Sequence, residues 1–356
     1  MKDTMSPKKS LKKLSAIGPR AGRRTVGASD RPLVELGPLT ASGDLPVVAR
    51  PTTEGVDLNA WLKDHRDLVR RHQRRSGGVL FRGFGLATLD EFEGAVGDFS
   101  GEDPLPYRDA TTPRSAVRGR VYTSTDYPAD QTIFFHSELS YSKAWPMNLF
   151  FFSVTPAAEG GETPIADTRK ILRQIDPEIR ERFRERRVLY VRNYGGGLGL
   201  DWRDVFGTGD RDEIERLSAE AETEIEWRAD DHLRTRTVRD AVATHPETGE
   251  EVWFNHVVLF HATSLDAEVR RTLVARWGEL GLPHCTFYGD GEPIEPEVIE
   301  HLRQAYLDEA VVFPWQRGDL LLLDNMLTAH GRNPYKGERR LLTAMTELHH
   351  AGTAAR

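Results

Sequence analysis

The chain has one cysteine, Cys285, in 356 residues, so no internal disulfide can form and a reducing, cytoplasmic setting is expected. It also lacks any run approaching the roughly 18 to 20 apolar residues of a membrane-crossing helix. The excess of positive charge that a general nucleic-acid binder needs is missing too. The formal charge is −7, and phosphate affinity asks for a basic face. The amino terminus is charged without an apolar segment behind it, and Arg23-Arg24 precede Thr25, Val26, Gly27, Ala28 and Ser29 rather than a hydrophobic run. Neither a secretory nor a twin-arginine leader is therefore expected. There is no internal repeat and no long low-complexity linker, which removes the usual reasons to divide the chain.

What is present describes a globular protein: 38% hydrophobic, 29% charged and 9% aromatic residues. The net charge hides an asymmetry. Residues 1–31 hold nine Lys or Arg against Asp3 and Asp30, a balance of +7, and −7 minus +7 leaves −14 for the remainder. Of nine lysines, five fall within the first 13 residues. The expected organisation is a basic, disordered arm over 1–31 followed by one domain over 32–356, with partner binding as the arm's sharper alternative. Cys285 reads as a buried thiol without a chemical task.

Short β-rich runs bounded by Gly, Pro and Asp dominate the body. The clearest are Thr132 to His136, Asn148 to Thr155, Val188 to Arg192, Glu251 to Asn255, Asp319 to Asp324 and Arg340 to Thr346. Helical periodicity covers about 57–74 and 88–99, then 211–221, 266–280 and 295–306. Helices inserted among strands, rather than alternating with them, predict a mostly β sandwich or jelly roll instead of a parallel doubly wound sheet. Pro246-Glu247-Thr248-Gly249 between strand-like flanks predicts a hairpin over 243–254.

A carboxylate two residues after a histidine offers two ligands to one metal ion only in extended backbone, where i and i+2 share a face. Twelve histidines and 55 acidic residues make about two such pairs expected by chance, and there are three. His65 and Asp67 lie in a helix, where they diverge. His245 and Glu247 flank Pro246 in the predicted turn, where solvated side chains are expected. His136 and Glu138 end the apolar run Gln131-Thr132-Ile133-Phe134-Phe135, which presents both at the rim of a sheet. A facial triad needs a second histidine, and His256, His261 and His330 are the candidates. Arg339 and Arg340 open the last strand on opposite faces, and a guanidinium on a buried face calls for an anion. A zinc hydrolase using two histidines and a glutamate is the competing reading of the same residues.

Together, Phe135 to Ser142, Gly160-Gly161-Glu162-Thr163-Pro164, Arg234-Thr235, His245 to Glu250 with Val252 to Asn255, and Leu323 to Met326 through His330-Gly331-Arg332 to Arg339-Arg340 resemble the TauD/TfdA-like Fe(II)/2-oxoglutarate-dependent dioxygenases. More narrowly, they are similar to natural-product amino-acid hydroxylases of the syringomycin aspartyl hydroxylase kind. The resemblance covers about 79–347. It implies a double-stranded β-helix (jelly roll) core, His136, Glu138 and His330 as iron ligands, and Thr163 and Arg340 as the hold on the distal carboxylate of 2-oxoglutarate. The position four residues past Arg340, where taurine dioxygenase has a further arginine, is Ala344. Tyr141 and Asn255 are the expected substrate contacts, and the glycine-rich 194–199 is expected to be a lid loop. The implied activity is hydroxylation of an unactivated C–H bond in an amino acid or its derivative, free or tethered to an acyl or peptidyl carrier protein. It would use Fe(II), 2-oxoglutarate and O2, with ascorbate as a helper. Desaturation or cyclisation on the same centre is the alternative outcome.

Overall fold

The structure, a computed structural model, describes residues 32–40, 43–106, 116–124, 127–195 and 199–352. The chain divides into two units, Met1–Pro32 and Leu33–Arg356, and every element below belongs to the second. The basic arm and residues 196–198 of the 194–199 loop lie outside the described residues.

The unit is mostly sheet with helices added. An eight-stranded sheet has at its centre Leu320–Asp324, paired antiparallel with Gly78–Phe81 on one side and Ala144–Thr155 on the other. Arg340–His350 follows beyond Ala144–Thr155, also antiparallel. A strand covered on both faces can be apolar at every position, and Leu320-Leu321-Leu322-Leu323 is wholly buried. Alternation then sorts the side chains between two cores. Leu320, Leu322, Phe150, Phe152, Leu342 and Ala344 pack on the helices Leu58–Ser76 and Leu89–Ser100. Leu321, Leu323, Leu149, Phe151, Leu341 and Met345 face the opposite way, toward Ile165, Phe313 and Trp315.

Both helices begin where side chains accept the free N–H groups of the first turn. Asp57 caps the first, and Thr88 with Glu91 forms a reciprocal capping box at the second. On the other side of the sheet lie a three-stranded sheet, Ile133–His136, Thr328–Arg332 and Ile165–Asp167, and a four-stranded one containing Val188–Tyr194 and His284–Tyr288. The hairpin forms as Val242–Thr244 against Glu251–Trp253. Its turn differs from expectation. His245 is fully buried, its Nδ1 accepting from the N–H groups of Glu247 and Thr248 and its Nε2 3.0 Å from Asp324 Oδ2. Burial with both ring nitrogens engaged makes it a structural link, not a solvated turn residue.

Candidate metal centre

Antiparallel pairing of Ile133–His136 with Thr328–Arg332 places His330 directly opposite His136. Their ring centroids are 4.3 Å apart. Close approach of the two strands requires a glycine at 331, because a Cβ there would lie 2.7 Å from the carbonyl oxygen of Ile133. Glu138 enters from the turn that follows His136. The ligand atoms of His136, Glu138 and His330 all lie within 4.8 Å of one another, with Glu138 and His330 buried. His136 Nδ1 is 3.0 Å from the carbonyl oxygen of Phe134. A carbonyl only accepts, so Nδ1 carries the proton and Nε2 keeps its lone pair for a metal. His65 and His261 lie elsewhere; His256 is adjacent, its ring 5.5 Å from that of His136, and it stands outside the ligand cluster.

The cavity beside the cluster is lined by His136, His330, Phe151, Thr163, Ser124 and Arg339. Arg339 Nε donates to the carbonyl of Gly161 at 2.8 Å and its guanidinium also reaches Ser124 Oγ at 3.2 Å. The missing side chain of Gly161 makes room, since a Cβ there would sit 2.9 Å from Arg339 Cδ. Among the described residues no carboxylate lies within ion-pair distance of Arg339. Burial, and then the nearby Arg332, pull its pKa down to about 10. Thr163, buried, accepts a hydrogen bond from Trp315 Nε1 at 3.1 Å and retains its own hydroxyl proton to donate. An uncompensated cation with a hydroxyl donor beside it is a receptor for a carboxylate.

Two expected site residues sit differently. Arg340 is exposed. In the last strand Leu342 and Ala344 pack on the helices and Leu341 and Met345 on the opposite side, but a register shift between Arg340 and Leu341 breaks the alternation at its start. Of the pair, Arg339 is the one that lines the cavity. Counting four residues from Arg339 gives Thr343, whose buried hydroxyl has no hydrogen-bond partner among the described residues. Asn255 spends its amide on the backbone, donating from Nδ2 to the carbonyl of Ala241 at 2.9 Å and accepting at Oδ1 from the N–H of Val257 at 3.0 Å. Both polar atoms are thus tied to the backbone, closing the hairpin and holding a helix start.

Tyr141 lies between the metal ligands and a second cavity of ≈ 190 Å³, which it lines with Tyr190, Arg192, Tyr194, Thr235 and Arg239. Its ring is 4.9 Å from His256 and carries the Arg192 guanidinium 4.6 Å above it. Sequence reasoning weighed His256 only as a ligand. Its Nδ1 is 2.7 Å from Ser140 Oγ, and burial first, then His136, hold its pKa well below the ordinary histidine value. A neutral His256 therefore packs between the rings of His136 and Tyr141.

The donor set of two imidazoles and one carboxylate on one face of an ion fits a divalent metal with open positions. The comparisons agree with this chemistry. The taurine catabolism dioxygenase TauD, TfdA family profile matches residues 37–346. The dapdiamide synthesis protein DdaC of Enterobacter agglomerans is 41% identical over 271 residues, 76% of this chain and 82% of its own. A clavaminate synthase-like protein of Arabidopsis thaliana is 30% identical over 322 residues, 87% of this chain and 92% of its own. Among solved structures, PvcB of Pseudomonas aeruginosa, an Fe, alpha-ketoglutarate-dependent oxygenase from an isonitrile synthetic pathway, shares the fold at a TM-score of 0.53 and 16% identity. That match covers 91% of this chain and 94% of PvcB.

Proposed function

Because the chain belongs to the taurine catabolism dioxygenase TauD, TfdA family, we propose that it is an Fe(II)- and 2-oxoglutarate-dependent oxygenase of natural-product biosynthesis. On this reading it hydroxylates an unactivated C–H bond of an amino acid or amino-acid-derived intermediate. The carrying observation is the joint lining of one cavity by two of the metal-ligand side chains and an unneutralised arginine. A zinc hydrolase does not by itself call for that arginine, whereas a dicarboxylate co-substrate does. DdaC, a dapdiamide synthesis protein, supports a natural-product setting.

When bound, iron and 2-oxoglutarate supply the oxidising chemistry, with 2-oxoglutarate leaving as succinate and CO2. The protein's residues bind and orient. His136, Glu138 and His330 would hold the metal through two imidazoles and one carboxylate, a donor set that leaves it open to the keto acid and O2. Arg339 takes the distal carboxylate of 2-oxoglutarate with Thr163 as second donor, and the Thr343 hydroxyl is available nearer the other end. Tyr141, backed by the neutral His256 ring, forms the wall against which the substrate lies, in the cavity that Tyr141 shares with Arg192. Phe151, whose ring is 5.1 Å from that of His330, helps to exclude water from that side. The eight-stranded sheet opposed to the Ile133–His136, Thr328–Arg332 and Ile165–Asp167 sheet supports a double-stranded β-helix as the core. The domain is assigned to 32–356, with 1–31 as an arm that could recruit an acidic carrier protein. No described helix is long and apolar enough to cross a membrane.

The test is a mass-spectrometric screen of free and thioester-tethered amino acids with Fe(II), ascorbate and 2-oxoglutarate. Insertion of one oxygen atom coupled to succinate release is expected. Hydrolysis of a screened compound without O2 uptake would refute the reading.

A further inference from the structure

Glu138 lies beyond its strand, in a turn where a buried backbone has no ladder to pair with. It is 5% exposed, so each of its backbone polar groups would carry an uncompensated desolvation penalty if left without a partner. One side chain takes both. Asn325 Oδ1 accepts from the N–H of Glu138 at 2.7 Å, and Asn325 Nδ2 donates to the carbonyl of Glu138 at 2.8 Å and to that of Pro146 at 2.9 Å. A carboxamide presents acceptor and donor side by side, as a peptide unit in a neighbouring strand does. The residue that follows, Leu139, has φ 57°, a left-handed conformation that a non-glycine side chain keeps only when its surroundings hold it.

The clamp is itself anchored. Asn325 is fully buried and its N–H donates to the carbonyl of Met147 at 2.9 Å. Asp324 Oδ1 accepts from the N–H groups of Met326 and Leu327, both at 3.0 Å, and Asp324 Oδ2 accepts from His245 Nε2. His245 Nδ1 accepts two N–H groups, which puts the ring proton on Nε2 and fixes the direction of that bond. The same turn leads into Thr328–Arg332 and so delivers His330. One short turn thus contacts both halves of the donor set.

We propose that Asn325 is a positioning residue of the metal centre, clamping the Glu138 backbone at N–H and carbonyl from the turn that delivers His330 and so fixing the carboxylate ligand relative to the imidazole. The inference rests on the assignment of His136, Glu138 and His330 as ligands. Outer partners of metal ligands typically set affinity by roughly 10- to 100-fold.

Asn325→Asp tests it. The variant keeps an acceptor for the Glu138 N–H but turns a carboxylate oxygen toward the carbonyls of Glu138 and Pro146. Full-length protein freed of metal is titrated with Co(II), followed by its visible d–d absorption. Binding roughly 10- to 100-fold weaker, with an altered band shape, is expected. Gln73→Met, which removes the buried Gln73 Nε2 to Asn148 Oδ1 hydrogen bond of 2.8 Å, is the control for loss of stability alone and is expected to keep wild-type Co(II) binding. Wild-type affinity and spectrum in Asn325→Asp, or an equal loss in Gln73→Met, would overturn the proposal. If Asn325→Asp does not fold, amide exchange of the wild-type protein decides. The Glu138 N–H is expected among the slowly exchanging amides, and rapid exchange in the folded protein overturns the clamp. Unchanged Co(II) binding in Glu138→Ala would instead sink the ligand assignment, which keeps the two failures apart.

Discussion

Replacing Arg339 by leucine should separate folding from cofactor binding in opposite directions. Burial lowers the Arg339 pKa to about 10. At about 1.4 kcal/mol per unit, the shift from the ordinary arginine value costs the folded protein on the order of 3 kcal/mol. The sign follows from which form is disfavoured. A depressed base penalises its protonated state, so the cost is fully present at pH 7 and fades only as pH rises through about 10 and beyond. Leucine removes that cost and gives up the bonds to Gly161 and Ser124, worth about 1 kcal/mol each. Apo stability should therefore be unchanged or slightly raised. Binding of 2-oxoglutarate should suffer by about 2–5 kcal/mol, the usual cost of truncating one partner of a buried charge pair, or roughly 30- to 4,000-fold in Kd. The assay is thermal unfolding with Mn(II) and increasing 2-oxoglutarate. At 100 times Kd the wild type gains about 2.7 kcal/mol. Arg339→Leu should gain less than about 0.9 kcal/mol at that concentration, and Arg340→Leu the full amount. A retained shift in Arg339→Leu, or a lost one in Arg340→Leu, would refute the reasoning.

Glu138→Ala and His330→Ala should each abolish iron-dependent succinate formation while leaving the far-ultraviolet circular dichroism intact; full activity in both would remove the triad. Asn255→Ala should lower stability by about 2 kcal/mol, through two unmade backbone bonds, without raising the substrate KM; a KM effect at unchanged Tm would restore Asn255 as a substrate contact. Cys285 is buried and its thiol is pushed up to about 12. At pH 8 only about one thiol in 10⁴ is then thiolate, so the native protein should resist iodoacetamide and the unfolded one should not. Deleting residues 1–31 should slow turnover of a carrier-tethered substrate and spare a free one; equal rates on both would remove the arm from recruitment.

Much of the site was legible because its local rules are strict. The apolar run ending at His136 marks the first ligand, although Glu138 sits in the turn beyond the strand rather than in it, and Asp319 to Asp324 reads as a strand from its leucines. Choosing Arg339 over Arg340 required knowing which face of the last strand meets helices and which meets the cavity, and that is a tertiary fact. Asn255 and His245 look like site and surface residues in sequence; their hydrogen bonds run to Ala241, Val257 and Asp324, partners that pattern alone does not supply. The strands Val34–Thr40 and Gly43–Pro51 escaped because Gly37, Pro38 and Pro46 break the β pattern. Thr328–Arg332, which carries His330, is too short and polar a strand to stand out in sequence and is stabilised by pairing on both sides.

The central claim is that His136, Glu138, His330 and Arg339 together hold iron and 2-oxoglutarate. Anaerobic addition of Fe(II) and 2-oxoglutarate to the metal-free protein measures this directly. A visible charge-transfer band that is absent in His330→Ala, and that needs far more 2-oxoglutarate in Arg339→Leu, is the expected result. No band in the wild type, together with tight Zn(II) binding at the same residues, would contradict the account.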